Sequence, residues 1–371
     1  MSAAITPVVM PKWGLEMREG TVQEWLVAEG ARIEVGQSLV DVDTDKISNA
    51  VEATDAGLLR RIVAQPGELL PVRALLAVLA EPEVGDADID AYIAAFEVPA
   101  AADSDEDSGP AFEYADVDGI RVRYARRGPD EGTPVLFVHG FGGDLNNWLF
   151  NLDAIAEAHP VIALDLPAHG QSSARLAGTT LEAMAAFVGR FMEQIGVASA
   201  HLVGHSMGGG VAAQLALDAP DKVASLALID SAGFGAEINR DYIDGFVRAN
   251  SRRELKPVAE LLFADSSLVS RQLLDDLLKY KRLDGVGEAL GELSAQLFAG
   301  GRQSELPGQA LGSFGKPVLL IWGQEDAVIP SAHARAAPAG ASVKVLAGAG
   351  HMPQMEKAGE VNSLLRQHLQ P

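Results

Sequence analysis

The sequence predicts two bodies of different class. Residues 1–80 read as a small all-β domain, a flattened β-barrel. Residues 113–371 read as an α/β domain with a helical cap at about 234–312, and an acidic Ala/Pro linker at 81–112 joins them. Three observations predict this. The first segment repeats itself at an offset of 37 residues. The last segment alternates continuous apolar runs with helical stretches, the pattern of a mostly parallel sheet covered on both faces. Charge divides the same way: residues 1–110 carry 21 acidic and 7 basic side chains, whereas residues 111–371 carry 30 and 22.

In the first body, Gly20–Gly30 aligns without a gap on Gly57–Gly67, and the match continues through Val35/Val72 and Leu39/Leu76. Gly36 departs from it, standing opposite Arg73. Short apolar runs punctuated by Gly and Pro read as strands and turns. Two copies of one strand set bury each other's apolar face, which predicts near-twofold symmetry. Between the copies, Asp41–Glu52 alternates on both sides and breaks at Asp45-Lys46. That reads as a hairpin tip with Lys46 in water, where most turn lysines do nothing further. The Asp-Lys tip, Glu19-Gly20, Ala28-Glu29-Gly30 and the symmetry together resemble a lipoyl domain of the 2-oxo acid dehydrogenase complexes, over residues 4–80. The resemblance implies lipoate on Lys46, placed there by a lipoate-attaching enzyme. Such an arm is long and flexible, and it raises the local concentration of its cargo at a tethered site.

The linker is rich in Ala, Pro, Ser and acidic residues, which keep a chain solvated and extended. Its one apolar piece, Tyr92, Ile93 and Phe96, reads as a short amphipathic segment that either docks on a partner or packs on a neighbour, the second being the simpler expectation. Lipoyl-bearing acyltransferases usually carry a basic three-helix partner-binding domain here, and nothing in 81–112 matches it.

In the second body, residues 112–117 and 120–125 form a hairpin across Asp118-Gly119, a favoured primed-turn pair. Buried strands follow at 134–138, 161–165, 200–204, 223–230, 317–322 and 342–346, with helices at about 181–195, 208–218 and 331–337. Residues 234–312 break the rhythm and read as helices, with Val258, Leu261 and Leu262 at helical spacing. An inserted cap over the carboxyl ends of the strands accounts for them.

The strand at 200–204 runs into Gly204-His205-Ser206-Met207-Gly208, a strand-to-helix Gly-x-Ser-x-Gly turn. Such a turn holds its serine in a strained conformation at a helix N-terminus. With His139-Gly-Phe-Gly-Gly143, Asp165–Ser172, Gly323-Gln-Glu-Asp326-Ala-Val-Ile-Pro330 and Gly348-Ala-Gly-His351, this resembles the α/β-hydrolase fold over about 255 residues. The resemblance implies Ser206 as nucleophile, His351 as base and Asp326 as the acid that orients it, with Asp230 as the other candidate acid. It also implies an oxyanion hole from the backbone N–H groups of Phe141 and Met207. His205 flanks the nucleophile and must point elsewhere; His139 and Asp165 read as loop-holding residues.

A net charge of -22 argues against nucleic acid. No apolar run of eighteen residues and no leader pattern is found, so no membrane association is expected. The absence of cysteine excludes disulfides and thiolate metal ligands; no metal is expected, and a cytoplasmic location fits. A lipoyl domain joined to a hydrolase-type domain resembles the dihydrolipoamide acetyltransferase components of acetoin-cleaving systems. That resemblance implies an acetyltransferase with coenzyme A as co-substrate, and acetoin dehydrogenase E1 and dihydrolipoamide dehydrogenase components as partners. The His-x-x-x-Asp-Gly signature of the ordinary acetyltransferase core is missing. The alternative is a serine hydrolase of an ester, thioester or C–C bond that carries a lipoyl domain.

Overall fold

The repeat folds as eight strands: β1 (Ile5–Val9), β2 (Glu19–Trp25), β3 (Arg32–Ile33), β4 (Ser38–Asp43), β5 (Ser48–Glu52), β6 (Gly57–Ile62), β7 (Leu69–Pro71) and β8 (Leu75–Ala80). The computed structural model describes residues 5–13, 17–44, 48–98 and 112–370, and it divides into two units, Met1–Ala111 and Phe112–Pro371. In the first unit the strands make two four-stranded sheets, ordered β1-β8-β6-β3 and β5-β4-β2-β7. Each copy supplies equivalent core residues: Val22 and Leu39 from the first, Leu59 and Leu76 from the second, all fully buried. The backbone repeats as well. Gly30 and Gly67 both have φ 89°, and Arg73 (φ 69°) keeps the left-handed conformation of Gly36 (φ 83°) although it is no glycine. β4 and β5 pair antiparallel from Ser38↔Glu52 to Asp43↔Ser48. Lys46, in the connection between them, lies outside the described residues, as do 99–111 of the linker.

The start of the linker is not extended. Asp86–Ala95 form a helix, α1, that packs on the first unit. Ile89 is fully buried against Leu75, Val78, Ala80 and Val84, with Tyr92, Ile93 and Phe96 alongside. The physical reason lies in β8, whose Leu-Leu-Ala-Val-Leu-Ala is buried at every position. Leu76 and Leu79 face the core between the sheets, whereas Leu75, Val78 and Ala80 face α1. A strand apolar on both faces needs a second cover. Arg60–Asp86 and Arg61–Asp90 ion pairs at 2.8 and 2.9 Å edge this contact, and at these exposed positions they add little.

The second unit is an eight-stranded sheet of β9 (Glu113–Val117), β10 (Ile120–Arg127), β11 (Val135–Val138), β12 (Val161–Leu164), β13 (Ala200–His205), β14 (Val223–Ile229), β15 (Val318–Gly323) and β16 (Ser342–Leu346). Its order is β16-β15-β14-β13-β11-β12-β10-β9. All neighbours from β12 to β16 run parallel, while β9 and β10 form the antiparallel edge. The β9–β10 turn has φ 54° at Asp118 and 76° at Gly119, as a primed turn requires. Helices α2 (Leu152–Ala156), α3 (Leu181–Gln194) and α4 (Met207–Asp218) lie between strands. The stretch at 331–336 is a 3-10 turn rather than an α-helix.

Between β14 and β15 lies the cap: α5 (Arg240–Arg248), α6 (Arg252–Ala259), α7 (Arg271–Lys281) and α8 (Val286–Leu297). The side chains of Asn239, Ser251 and Ser270 cap the first three. The two roots of the cap are tied by an antiparallel bridge between Glu237 and Arg302. Helices α9 (Pro353–Glu356) and α10 (Ala358–His368) close the chain. No helix among the described residues is long and apolar enough to cross a membrane.

Candidate active site

Ser206 sits between the end of β13 and the first residue of α4 with φ 53° and ψ -121°, a backbone conformation rare for a residue with a Cβ. The flanking glycines are there for space. A Cβ on Gly208 would lie 2.3 Å from the Val138 carbonyl oxygen, and one on Gly204 would lie 2.6 Å from that of Gly208. The strained turn is held from both sides: Ser206 N–H donates to Ile229 O (3.0 Å), and its carbonyl accepts from Ala232 N–H (2.9 Å).

Ser206, His351 and Asp326, separated by 120 residues or more from nucleophile to acid in the chain, meet here. Ser206 Oγ lies 3.0 Å from His351 Nε2, and His351 Nδ1 lies 2.8 Å from Asp326 Oδ2. All three side chains are withdrawn from water, with Ser206 only 6% exposed and His351 1%. Asp326 Oδ1 accepts from the N–H groups of Val328 (2.7 Å) and Ile329 (2.9 Å). Burial pushes the Asp326 carboxyl up, but the His351 imidazole and these donors outweigh it and hold the group below its ordinary value. An ionised Asp326 places the imidazole proton on Nδ1, which leaves Nε2 to accept from the serine hydroxyl; this tautomer is assigned from the hydrogen-bond network.

His351 itself is clamped through its backbone. Its N–H donates to Leu262 O at 2.8 Å, at the end of the cap segment that follows α6. Its carbonyl accepts from His205 Nε2 at 2.7 Å. His205, next to the nucleophile in sequence, therefore points beneath it and holds the base. Burial, reinforced by His351, lowers the His205 imidazole to about 3, so the ring is neutral. Sequence order supplied no signal for this role beyond the requirement that His205 turn away from Ser206.

The loop His139–Gly143 runs beside the nucleophile: a Cβ on Gly140 would lie 2.9 Å from that of Ser206. Phe141 follows directly. Met207 opens α4, where a main-chain N–H has no partner within the helix. The loop is braced from below by buried Asp165, which accepts from Arg123 Nε (2.6 Å), Leu145 N–H (2.9 Å) and Gln171 N–H (2.8 Å). His139 holds the same loop, with its Nδ1 against Gly140 O (2.8 Å) and its Nε2 accepting from Leu166 N–H (2.9 Å).

The cap supplies an aromatic wall that carries no sequence motif. Phe246 and Phe298 pack edge-on to Phe141 at 5.9 and 5.8 Å between ring centroids. Tyr242 places its hydroxyl 3.4 Å from Phe141 O and its ring 6.4 Å from that of His351. Asp230, the other candidate acid, does not bond His351; its Oδ1 accepts from Gly323 N–H at 2.9 Å. Asp230, Asp326 and His351 do come within 4.8 Å of one another, but both His351 nitrogens are already engaged, which leaves no imidazole lone pair for a metal.

A doubly covered sheet, a helical cap and a serine at a strained strand-to-helix turn define an α/β hydrolase, here with a lipoyl domain in front of it. The family described as alpha/beta hydrolase fold matches residues 133–358, and the biotin-requiring enzyme (biotin/lipoyl) family matches residues 6–79. The chain is 65% identical over 369 residues to the dihydrolipoyllysine-residue acetyltransferase component of the acetoin cleaving system of Cupriavidus necator, covering 100% of this chain and 98% of that protein. It is 49% identical to the component of the same description from Pseudomonas putida, over 98% of this chain and 99% of that one. The chain thus belongs to the family of acetyltransferase components of acetoin-cleaving systems. Among solved structures, a meta-cleavage product hydrolase from Pseudomonas fluorescens shares the fold, with a TM-score of 0.62 at 23% identity, covering 69% of this chain and 96% of that chain.

Proposed function

We propose that the second unit transfers an acetyl group from a lipoyl arm on Lys46 to coenzyme A by way of an acetyl-Ser206 enzyme. The observation that carries this reading is the unbroken relay from Ser206 Oγ through His351 to Asp326, at 3.0 and 2.8 Å.

The residues act in two halves. Ser206 Oγ attacks the acyl carbon while His351 Nε2 takes its proton. Asp326 stabilises the imidazolium that forms. The N–H groups of Phe141 and Met207 receive the developing oxyanion; each such donor is worth about 3–4 kcal/mol in the transition state. His351 then gives the proton to the departing sulfur, and the serine ester remains. In the second half His351 takes the proton of an incoming thiol, the sulfur attacks the ester carbon, and Ser206 leaves with the proton returned to it.

Lipoate supplies the dithiol that carries the acyl group as a thioester. The antiparallel pairing of β4 with β5 up to Asp43↔Ser48 supports this reading, since Lys46 lies in the short connection between those strands. Acetoin dehydrogenase E1 would load the arm and dihydrolipoamide dehydrogenase would reoxidise it. A second reading, hydrolysis, has one observation in its favour: the same relay serves water as well as a thiol.

The test is acetylated, lipoylated protein with and without coenzyme A. Acetyl-coenzyme A should form from the wild type, and neither Ser206→Ala nor Lys46→Arg should form it. Lys46→Arg should still act on free acetyl-dihydrolipoamide. Equal acetate release without coenzyme A supports hydrolysis, and full turnover by Ser206→Ala rules out both readings.

A further inference from the structure

We propose that Asp230 is a fourth member of the relay, a positioning residue that carries a proton on its second carboxyl oxygen and donates it in a hydrogen bond to Asp326. The inference rests on the relay reading above and extends it to a residue which that reading leaves idle.

Asp230 follows the last residue of β14 and has φ 43°, a conformation that non-glycine residues adopt only where the surroundings impose it. Its N–H donates to Ile321 O at 2.9 Å and its Oδ1 accepts from Gly323 N–H at 2.9 Å, so the strained turn is pinned to β15 at two points. The carboxyl is fully buried, and its Oδ2 finds no N–H or O–H donor. One oxygen of this carboxyl lies within 4.8 Å of one of Asp326. The titratable groups around it are Asp326 and His351, from the loops after β15 and β16, and Glu356 from α9. Among the described residues no lysine or arginine pairs with it.

Two buried carboxyls this close do not both ionise, because like charges in a low-dielectric site repel strongly. The donor count decides which one keeps the proton. Asp326 accepts three hydrogen bonds, from Val328 N–H, Ile329 N–H and His351 Nδ1. Asp230 accepts one, from Gly323 N–H. The negative charge therefore belongs on Asp326, and the orphaned Asp230 Oδ2 becomes a donor once protonated. Burial and the Asp326 charge both push the Asp230 carboxyl upward, in agreement. The consequence for chemistry is that the fourth donor fixes the rotamer of Asp326 and spreads its charge, which keeps the His351 ring aligned with Ser206.

Asp230→Asn separates this role from that of an anionic acid. The amide retains an acceptor for Gly323 N–H, a donor for Asp326 and tolerance of positive φ. The full-length chain should keep its reactivity toward a fluorophosphonate probe at Ser206 within about threefold in this variant. Asp230→Ala should lose roughly tenfold or more, the size of a lost hydrogen bond to a charged group, and the acid limb of its labelling rate should move to higher pH. Infrared difference spectra at about pH 8, where ordinary carboxyls are ionised, read the proton itself. The wild type minus Asp230→Asn spectrum should show the carbonyl stretch of a protonated carboxylic acid. No such band, or an Asp230→Asn variant as impaired as Asp326→Asn, overturns the proposal. The infrared result does not depend on catalysis, so a chain whose Ser206 proves unreactive defeats the relay reading and leaves the proton on Asp230 to be read independently.

Discussion

Alanine at Gly323 should sever the relay without altering Ser206, His351 or Asp326 themselves. Gly323 ends β15 with an ordinary backbone conformation, so it is required for space rather than for torsional freedom. A Cβ there would lie 1.8 Å from the Gly350 carbonyl oxygen and 2.6 Å from that of Ala349. Both are main-chain atoms and cannot rotate aside. Relief to the 3.0 Å that real Cβ contacts respect demands a shift of about 1.2 Å between β15 and the loop that carries His351. His351 follows Gly350 directly and is held on its far side by Leu262 O and His205 Nε2. The Ser206–His351 contact of 3.0 Å has no slack for that displacement. A misplacement of about 1 Å costs on the order of 100-fold in rate, and overpacking adds about 1–3 kcal/mol of destabilisation. The assay is acetyl transfer, or fluorophosphonate labelling of Ser206, beside a thermal melt, with Ser206→Ala as the inactive control. A Gly323→Ala chain with wild-type rate and wild-type melting would refute the steric argument.

Two further predictions concern stability. Burial lowers the buried imidazoles of His139 to about 4, and of His169 and His205 to about 3. Their folded values lie below an unfolded value of about 6.5, so the unfolded chain takes up protons first and stability falls as pH drops from there towards 4, by up to about 3 kcal/mol for each histidine. Asp144, raised to about 6 by burial and then by Asp165, works in the opposite direction as pH falls from about 6 to 4. The melting temperature of the second unit should therefore decline between about pH 7 and pH 5, less steeply in His139→Gln; a flat profile would contradict the neutral-histidine assignment. In the first unit, Ile89→Ala should cost about 2–5 kcal/mol through loss of the α1 contact while leaving Ser206 labelling unchanged. An unaltered melting transition would show that α1 contributes nothing to that unit.

The motifs were readable because each is a local steric demand. Gly204 and Gly208 are needed by a helix that starts against a strand, Asp118-Gly119 by a two-residue turn, and Gly30 and Gly67 by a repeated left-handed corner. Arg73 shows the limit of such reading, since the fold holds a left-handed corner there without glycine. The packing of α1 was half visible: Leu75–Ala80 is apolar at every position, which calls for two covers, but the segment that supplies the second one reads as a solvated linker. Tyr242, Phe246 and Phe298 gave no signal, because an aromatic on an amphipathic cap helix looks the same whether it packs on core or on a reactive site.

The sequence alone determined the inventory: a repeated half-barrel, a nucleophile turn, two acids at the ends of successive strands and a histidine loop after the last strand. The pairing of those groups was decided only by tertiary structure. Asp230 and Asp326 follow parallel neighbours β14 and β15 and are alike in type and burial. Their difference arises from donors contributed by other segments, since Val328, Ile329 and His351 converge on one carboxyl while Gly323 alone reaches the other. A buried carboxyl's charge follows the hydrogen bonds it accepts, and those are set by how strand ends and loops meet in space.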